Sequence, residues 1–147
     1  GTQNFCFNVA KAALDQGLRP DSISTDLTIP GRQKTVHSMT EMLSKFLALG
    51  FTIEQVIRLA TANPAKAINM EDTIGSLAVG RNADVSVLEE TTGRWVFHDT
   101  EDNTLKGDKA LTPVLTVKDG EIFSPDWGPH PWGWEPASEA PARRSLP

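Results

Sequence analysis

Ser22-Ile23-Ser24-Thr25-Asp26-Leu27 alternates β-branched with small or charged side chains and predicts a short buried strand that ends near Asp26. Upstream, residues 5–17 are rich in helix formers, with Phe7, Ala10 and Leu14 on one stripe, Asn4 placed to cap the helix and Gly17 to stop it. Downstream, Thr28 to Lys34 reads as loop. Ser38 and Glu41 then have capping-box spacing, ahead of Met39, Met42, Leu43, Phe46 and Leu47 at helical intervals up to Gly50. A strand with a helix before it and a loop and helix after it is one βα unit with an extra helix ahead, as in an α/β barrel or an open parallel sheet. Catalytic groups of such folds collect at the C-terminal ends of strands, which makes Asp26 the first candidate.

Two further helix starts follow. Thr52 with Gln55 repeats the capping box and opens a helix with Ile53, Val56, Ile57 and Ala60 on its apolar face. Asn63-Pro64 pairs an N-cap residue with Pro at the first helical position and predicts a short helix over 64–69. Past Met70 the hydrophobic period changes to two. Residues 83–88, 94–98 and 114–117 read as strands, with Gly75, Gly80, Gly93 and Asp119-Gly120 as turn residues, the last pair facing Ile122-Phe123 across a tight hairpin. From Ser124 on, the chain carries six of its ten prolines and Trp127, Trp132 and Trp134, without periodicity, and reads as an extended tail.

Composition narrows the function classes. The 147 residues are 39% hydrophobic and 22% charged, which argues against a wholly disordered chain. No apolar run approaches the ~18 residues of a membrane span, so no membrane partner is expected. The net charge of −5 and the lack of a Lys/Arg cluster make a nucleic-acid backbone a poor partner. Cys6 is the single cysteine, so no internal disulfide can form, and the cytoplasm is the default location. Residues 1–70 carry a net +2 and residues 71–147 a net −7. Gly1 stands where a start Met would, implying a chain that begins after a cut, a tag or a missing segment.

Thr61-Ala62-Asn63-Pro64-Ala65 and Gly75-Ser76-Leu77-Ala78-Val79-Gly80-Arg81-Asn82-Ala83-Asp84-Val85-Ser86-Val87-Leu88 together resemble the C-terminal signature of the amidohydrolase superfamily, which includes dihydroorotases, hydantoinases and N-acyl deacetylases. Gly17 to Leu27 is similar to the eighth barrel strand of its deacetylase and dihydroorotase-like branch, and Met39 to Gly50 to the helix that follows. The resemblance covers roughly residues 5–123. It implies an α/β fold that is the C-terminal portion of a (β/α)8 TIM barrel over residues 1–70, part of a small β-sandwich over 71–123, and a Pro/Trp-rich tail over 124–147.

The same resemblance implies a metal-dependent hydrolase of non-peptide amide or cyclic amide C–N bonds, with one or two divalent ions, usually zinc, activating water. Asp26 falls on the position of the carboxylate that accepts the water's proton, passes it to the leaving nitrogen and can also touch a metal. Read without the resemblance, Asp26 is instead a strand-end carboxylate capping a turn. Asn4 and Phe5 occupy the place of the loop that borders substrate. Pro30, Gly31 and Arg32 line the loop after Asp26, where Arg32 is either a bidentate grip on a substrate carboxylate or an exposed loop side chain. His37, ahead of Ser38, either contacts substrate or steadies a helix start.

The family's other metal ligands belong to earlier strands that this sequence lacks. His37, His98 and His130 have no ligand spacing, and zinc needs at least three protein ligands. These residues alone are therefore expected to build no metal site and to be inactive in isolation. The missing barrel strands are expected from an upstream segment or a companion chain, the substrate is expected to be a small-molecule amide, and pairing into a homo-oligomer fits barrels of this type. The alternative is a non-catalytic amidohydrolase-like assembly or a binding module. Cys6 reads as a buried small hydrophobe, and Asn63 and Asp84 as structural residues, a helix cap and a turn-ordering carboxylate.

Overall fold

The computed structural model of the chain describes residues 4–32, 35–124 and 135–136, with the side chains of Arg32, Glu135 and Pro136 outside the description. Five helices precede a sheet: α1 (Phe7–Asp15), α2 (Ile29–Arg32), α3 (Met39–Ala48), α4 (Ile53–Ala60) and α5 (Ala62–Ala67), then β1 (Val85–His98), β2 (Thr104–Lys118), β3 (Glu121–Phe123) and β4 (Glu135–Pro136). The architecture is α/β, with an antiparallel sheet in the order β3-β2-β1-β4. Among the described residues, no helix is long and apolar enough to cross a membrane.

Local capping explains both ends of α3, the start of α4 and the end of α1. Thr52 and Gln55 close a full capping box on α4: Thr52 Oγ1 accepts from the Gln55 N–H at 3.2 Å and Gln55 Oε1 accepts from the Thr52 N–H at 2.9 Å. At α3 the box is half formed. Ser38 Oγ accepts from the Glu41 N–H at 3.1 Å, but the Glu41 carboxylate takes the N–H of His37 instead of that of Ser38. Gly17 and Gly50 stop α1 and α3 at φ values of 84° and 95°, a left-handed geometry that costs glycine nothing. The expected cap residue of α1 is corrected from Asn4 to Cys6, whose side chain makes no cap bond. The cap of α5 is likewise Thr61, because Asn63 spends its side chain on the Asp21 carbonyl at 2.8 Å. The loop expected at 28–34 contains the single turn α2.

The strand expected over 22–27 does not form. The segment is extended enough for the Ile23 N–H to reach the Leu59 carbonyl at 2.9 Å, but no neighbouring strand pairs with it among the described residues. A β-ladder needs a second backbone. Without one, the run is irregular and Asp26 sits at φ 45°.

The sheet is more continuous than the period-two segments imply. The segments at 83–88 and 94–98 fuse into β1, with Gly93 inside the strand, at a register shift between Thr92 and Trp95 instead of a turn. Strand β2 starts ten residues ahead of the expected Val114. Asp119 and Gly120 form the hairpin between β2 and β3 with φ of 51° and 83°, both positive as a type I′ turn requires. Asp84 holds this turn: its carboxylate accepts from the Asp119 N–H at 2.9 Å and from Lys118 Nζ at 3.1 Å. Those bonds hold the Asp84 carboxyl below its ordinary value, the Asp119 N–H contributing most. Most of the Trp-rich tail lies outside the described residues.

Two apolar clusters join helices to sheet. Ile23, Val36, Met42, Leu43, Val56 and Leu59 pack with Leu111 of β2, and Phe7 packs with Trp95, Phe97, Leu105 and Ala110. The N–H of Leu111 donates to Ser44 Oγ at 2.9 Å, fixing β2 against α3.

Candidate functional site

Asp26 lies exposed at the end of the extended 22–27 run, where the chain turns toward α2. The Asn4 side-chain amide donates to Asp26 Oδ2 at 3.1 Å, so two of the residues singled out in the sequence, 22 positions apart, are brought together. An amide donor favours the ionised carboxylate and fixes one of its oxygens.

Phe5, one residue on from Asn4, is half-buried with its ring in packing contacts. Its ring packs edge-on against Phe7 and stacked on Phe46, each at 5.6 Å between centroids. Its carbonyl is also occupied, accepting from the Thr100 N–H at 3.2 Å and Thr100 Oγ1 at 2.8 Å. Cys6 is half-buried, and its Sγ donates to Glu101 Oε2 at 3.2 Å, so it is not the buried apolar group expected.

On the other side of Asp26, Gly31 is buried with its backbone engaged: its N–H donates to Thr28 Oγ1 at 3.2 Å, and its carbonyl accepts from the N–H groups of Thr35 and Val36. Pro30 is exposed at the start of this turn. His37 is half-buried and binds Glu41 twice, through its own N–H at 2.7 Å and through Nδ1 at 3.2 Å, both to Oε2.

Behind His37 lies a buried ionic cluster. Glu41 Oε1 is 3.0 Å from Lys45 Nζ, with the Lys45 side chain 1% exposed, and Lys45 also donates to the Thr35 carbonyl. Burial pushes the Lys45 ammonium below its ordinary value, while the Glu41 charge and hydrogen bond and the Asp99 charge oppose that shift. The i, i+4 spacing of His37, Glu41 and Lys45 is the signal in the sequence that could have found this chain of contacts.

Asp99, in the turn between β1 and β2, is the counterpart on the sheet side and is 1% exposed. Its Oδ2 accepts from the Phe7 N–H at 2.8 Å and Asn103 Nδ2 at 3.0 Å, and its Oδ1 accepts from the N–H groups of Glu101 and Asn103 at 2.9 Å each. Burial raises the Asp99 carboxyl, but these bonds, the one from Phe7 largest among them, outweigh it and hold the group below the usual carboxylate range. The bond to Phe7 satisfies the first free N–H of α1, the service Cys6 does not perform. Nothing in the local sequence signals this, because the two residues are 92 positions apart.

The residues around Asp26 do not fit a metal centre by themselves. Among the described residues no group of three His, Cys, Asp or Glu side chains is arranged to hold an ion. His98 lies in β1, away from His37 in the chain, and His130 falls outside the described residues. A separate open groove of about 510 Å³, lined by Leu47, Phe51, Ile53, Glu54, Asp108 and Lys109 among others, shares no residue with the Asn4, Asp26 and His37 set.

Comparison with known proteins agrees with this arrangement of elements. The chain is 37% identical over 124 residues to a deacetylase of Brucella anthropi, covering 84% of this chain and 31% of the relative. Among solved structures, an adenine deaminase superposes with a TM-score of 0.81 at 27% identity, covering 85% of this chain and 34% of its own. A dihydroorotase superposes with a TM-score of 0.76 at 31% identity, covering 84% and 33%. The chain spans about a third of the length of the curated relatives it matches. Residues 4–123 match the model of the Amidohydrolase family, and the chain belongs to that family.

Proposed function

We propose that this chain is the C-terminal part of an enzyme that hydrolyses a non-peptide amide or cyclic amide C–N bond, with Asp26 as the catalytic general base and acid. The observation that carries the reading is the exposed Asp26 carboxylate held by Asn4, at the end of the segment that precedes the loop and α3. In this reaction water attacks the amide carbonyl as Asp26 accepts its proton. The same proton then passes to the leaving nitrogen as the C–N bond breaks, yielding a carboxylic acid and an amine. An ordinary Asp, with a pKa of about 3.9, is ionised and ready for the first step at neutral pH.

Members of this family generally use divalent metals. Zinc takes at least three protein ligands, and the described residues gather no such set, so the ion would draw its other ligands from outside these residues, with Asp26 as this chain's single contribution. In the same reading, residues 1–70 end a barrel, 71–123 contribute to a β-sandwich, and the remaining strands come from an upstream segment or a companion chain. Asn4, Pro30 and Arg32 border a small-molecule substrate. Phe5, Gly31 and His37 shape that border through the backbone and packing contacts they make.

Asp26→Asn in the complete enzyme tests the reading. The side chain keeps its size and its ability to accept from Asn4 but loses its proton affinity, so turnover of an N-acyl or cyclic-amide substrate should fall ~10²–10⁴-fold with the fold intact. Undiminished turnover would overturn the assignment.

A further inference from the structure

The family match ends at residue 123, so neither the family nor the proposed reaction accounts for the Pro- and Trp-rich sequence beyond it. Two residues of that sequence are placed on the sheet: β4 pairs antiparallel with β1, Glu135 opposite Val96 and Pro136 opposite Trp95. This register sets a direction. An antiparallel strand runs against its neighbour's numbering, so the chain leaves Pro136 pointed back along β1 toward Glu90. Glu90 stands five residues before Trp95, a span of about 17 Å along the strand. It is also one wall of the open groove of about 510 Å³ between the α3–α4 turn and the sheet. The apolar lining of that groove is Leu47, Phe51 and Ile53, the last 41% exposed. Its charged lining is acidic on balance, with Glu54, Glu90 and Asp108 against Lys109, whose Nζ is already 2.9 Å from Glu90 Oε1. Such a groove fits a cationic segment that also carries an apolar side chain.

We propose that the groove is the docking site of this chain's own residues 137–147. Residues 137–142 continue the line of β4 along β1, Arg143 and Arg144 pair with the carboxylates of Glu90, Glu54 and Asp108, and Leu146 covers Phe51 and Ile53. Arg143 lies seven residues past Pro136, a reach of roughly 23 Å in extended chain, which exceeds the span to Glu90. Arginine suits the task because its planar fork meets a carboxylate with two parallel N–H donors. Exposed ion pairs are weak between separate molecules, but a tether of six residues holds the two arginines at high local concentration. The docked segment clamps the α3–α4 turn to the sheet. The groove shares no residue with the Asn4, Asp26 and His37 set, so this assignment stands apart from the hydrolytic reading.

A spin label tests this in the ¹⁵N-labelled 147-residue chain, whose single cysteine is Cys6. With Cys6→Ser and Ser145→Cys, a nitroxide attached at position 145 should at least halve the backbone amide signals of Phe51, Ile53, Asp108 and Lys109 relative to the reduced label. Arg143→Glu with Arg144→Glu should return those signals to the reduced-label level. Adding Glu54→Lys and Glu90→Lys to that variant should halve them again, a rescue that damage to the fold could not produce. Signals that never fall, or that stay low once the arginines are reversed, overturn the proposal. Nitroxide-bearing chains without ¹⁵N, mixed with ¹⁵N chains without nitroxide, should cause no loss. A loss in that mixture would show that the segment of a second copy fills the groove, and the assignment to the chain's own segment would fail.

Discussion

Ser44 of α3, with no exposed surface, accepts the backbone N–H of Leu111 in β2 at 2.9 Å while its own hydroxyl donates to the Thr40 carbonyl at 2.7 Å. Strand β3 pairs with β2 only from Thr116 to Lys118, so at Leu111 no β3 backbone is there to serve the strand. A helix hydroxyl takes the place of a missing ladder partner.

Ser44→Ala should therefore leave a buried N–H without its acceptor and lower the unfolding free energy by about 1–3 kcal/mol. Denaturant titration with an unchanged m-value would confirm a loss of stability alone. An unaltered midpoint would show that Leu111 finds another partner.

Asp99 predicts a specific pH dependence. Its carboxyl in the folded chain lies below the ordinary value, so its stabilisation is fully present above about 3.9 and is lost as pH falls from there through the folded value. Asp99→Asn should destabilise the chain by about 1–3 kcal/mol at pH 7, by leaving N–H donors unmatched. The gap between wild type and variant should narrow on going to about pH 3. Urea unfolding of both proteins at the two pH values measures this directly. A gap independent of pH would show that the charge contributes nothing.

Gly75 and Gly80 share a left-handed backbone, with φ of 81° and 88°, but not a setting. A Cβ on Gly75 would lie 2.6 Å from Ala65 Cβ and 2.9 Å from the Thr61 carbonyl oxygen, whereas one on Gly80 would meet nothing within 4 Å. Gly80→Ala should cost only the backbone term of about 1–2 kcal/mol. Gly75→Ala should add about 1–3 kcal/mol for overpacking against α5. Equal losses of melting temperature would contradict the close approach of the 75 turn to α5.

The capping box of α4 offers a smaller, local test. Thr52→Ala should cost about 0.5–2 kcal/mol and Thr52→Ser much less, since serine keeps the acceptor for the Gln55 N–H. Thermal unfolding of the pair separates the hydroxyl from the methyl group.

Features whose partners lie within a turn or two were legible in the sequence. The Thr52–Gln55 capping box, the Ser38 cap of α3, the stops at Gly17 and Gly50, the Asp119-Gly120 hairpin and the change of period after Met70 each depend on neighbours a few residues away, and each appears in the structure. The family signature is of the same kind, since it strings such local devices in order. The match over residues 4–123 agrees with it.

Whatever needed a distant partner was decided by the tertiary structure. The 22–27 run has strand composition, yet strand geometry requires a second backbone that the described residues do not supply. Phe5 packs its ring on Phe46, because only the fold brings α3 beneath it. The Asp99 cap on Phe7 and the Asn4 bond to Asp26 join residues 92 and 22 positions apart, and no periodicity encodes such pairs. The sequence by itself determined the helices other than α2, the Asp119-Gly120 turn and the family. Burial by the assembled fold decided which polar groups lost their water and therefore had to find one another.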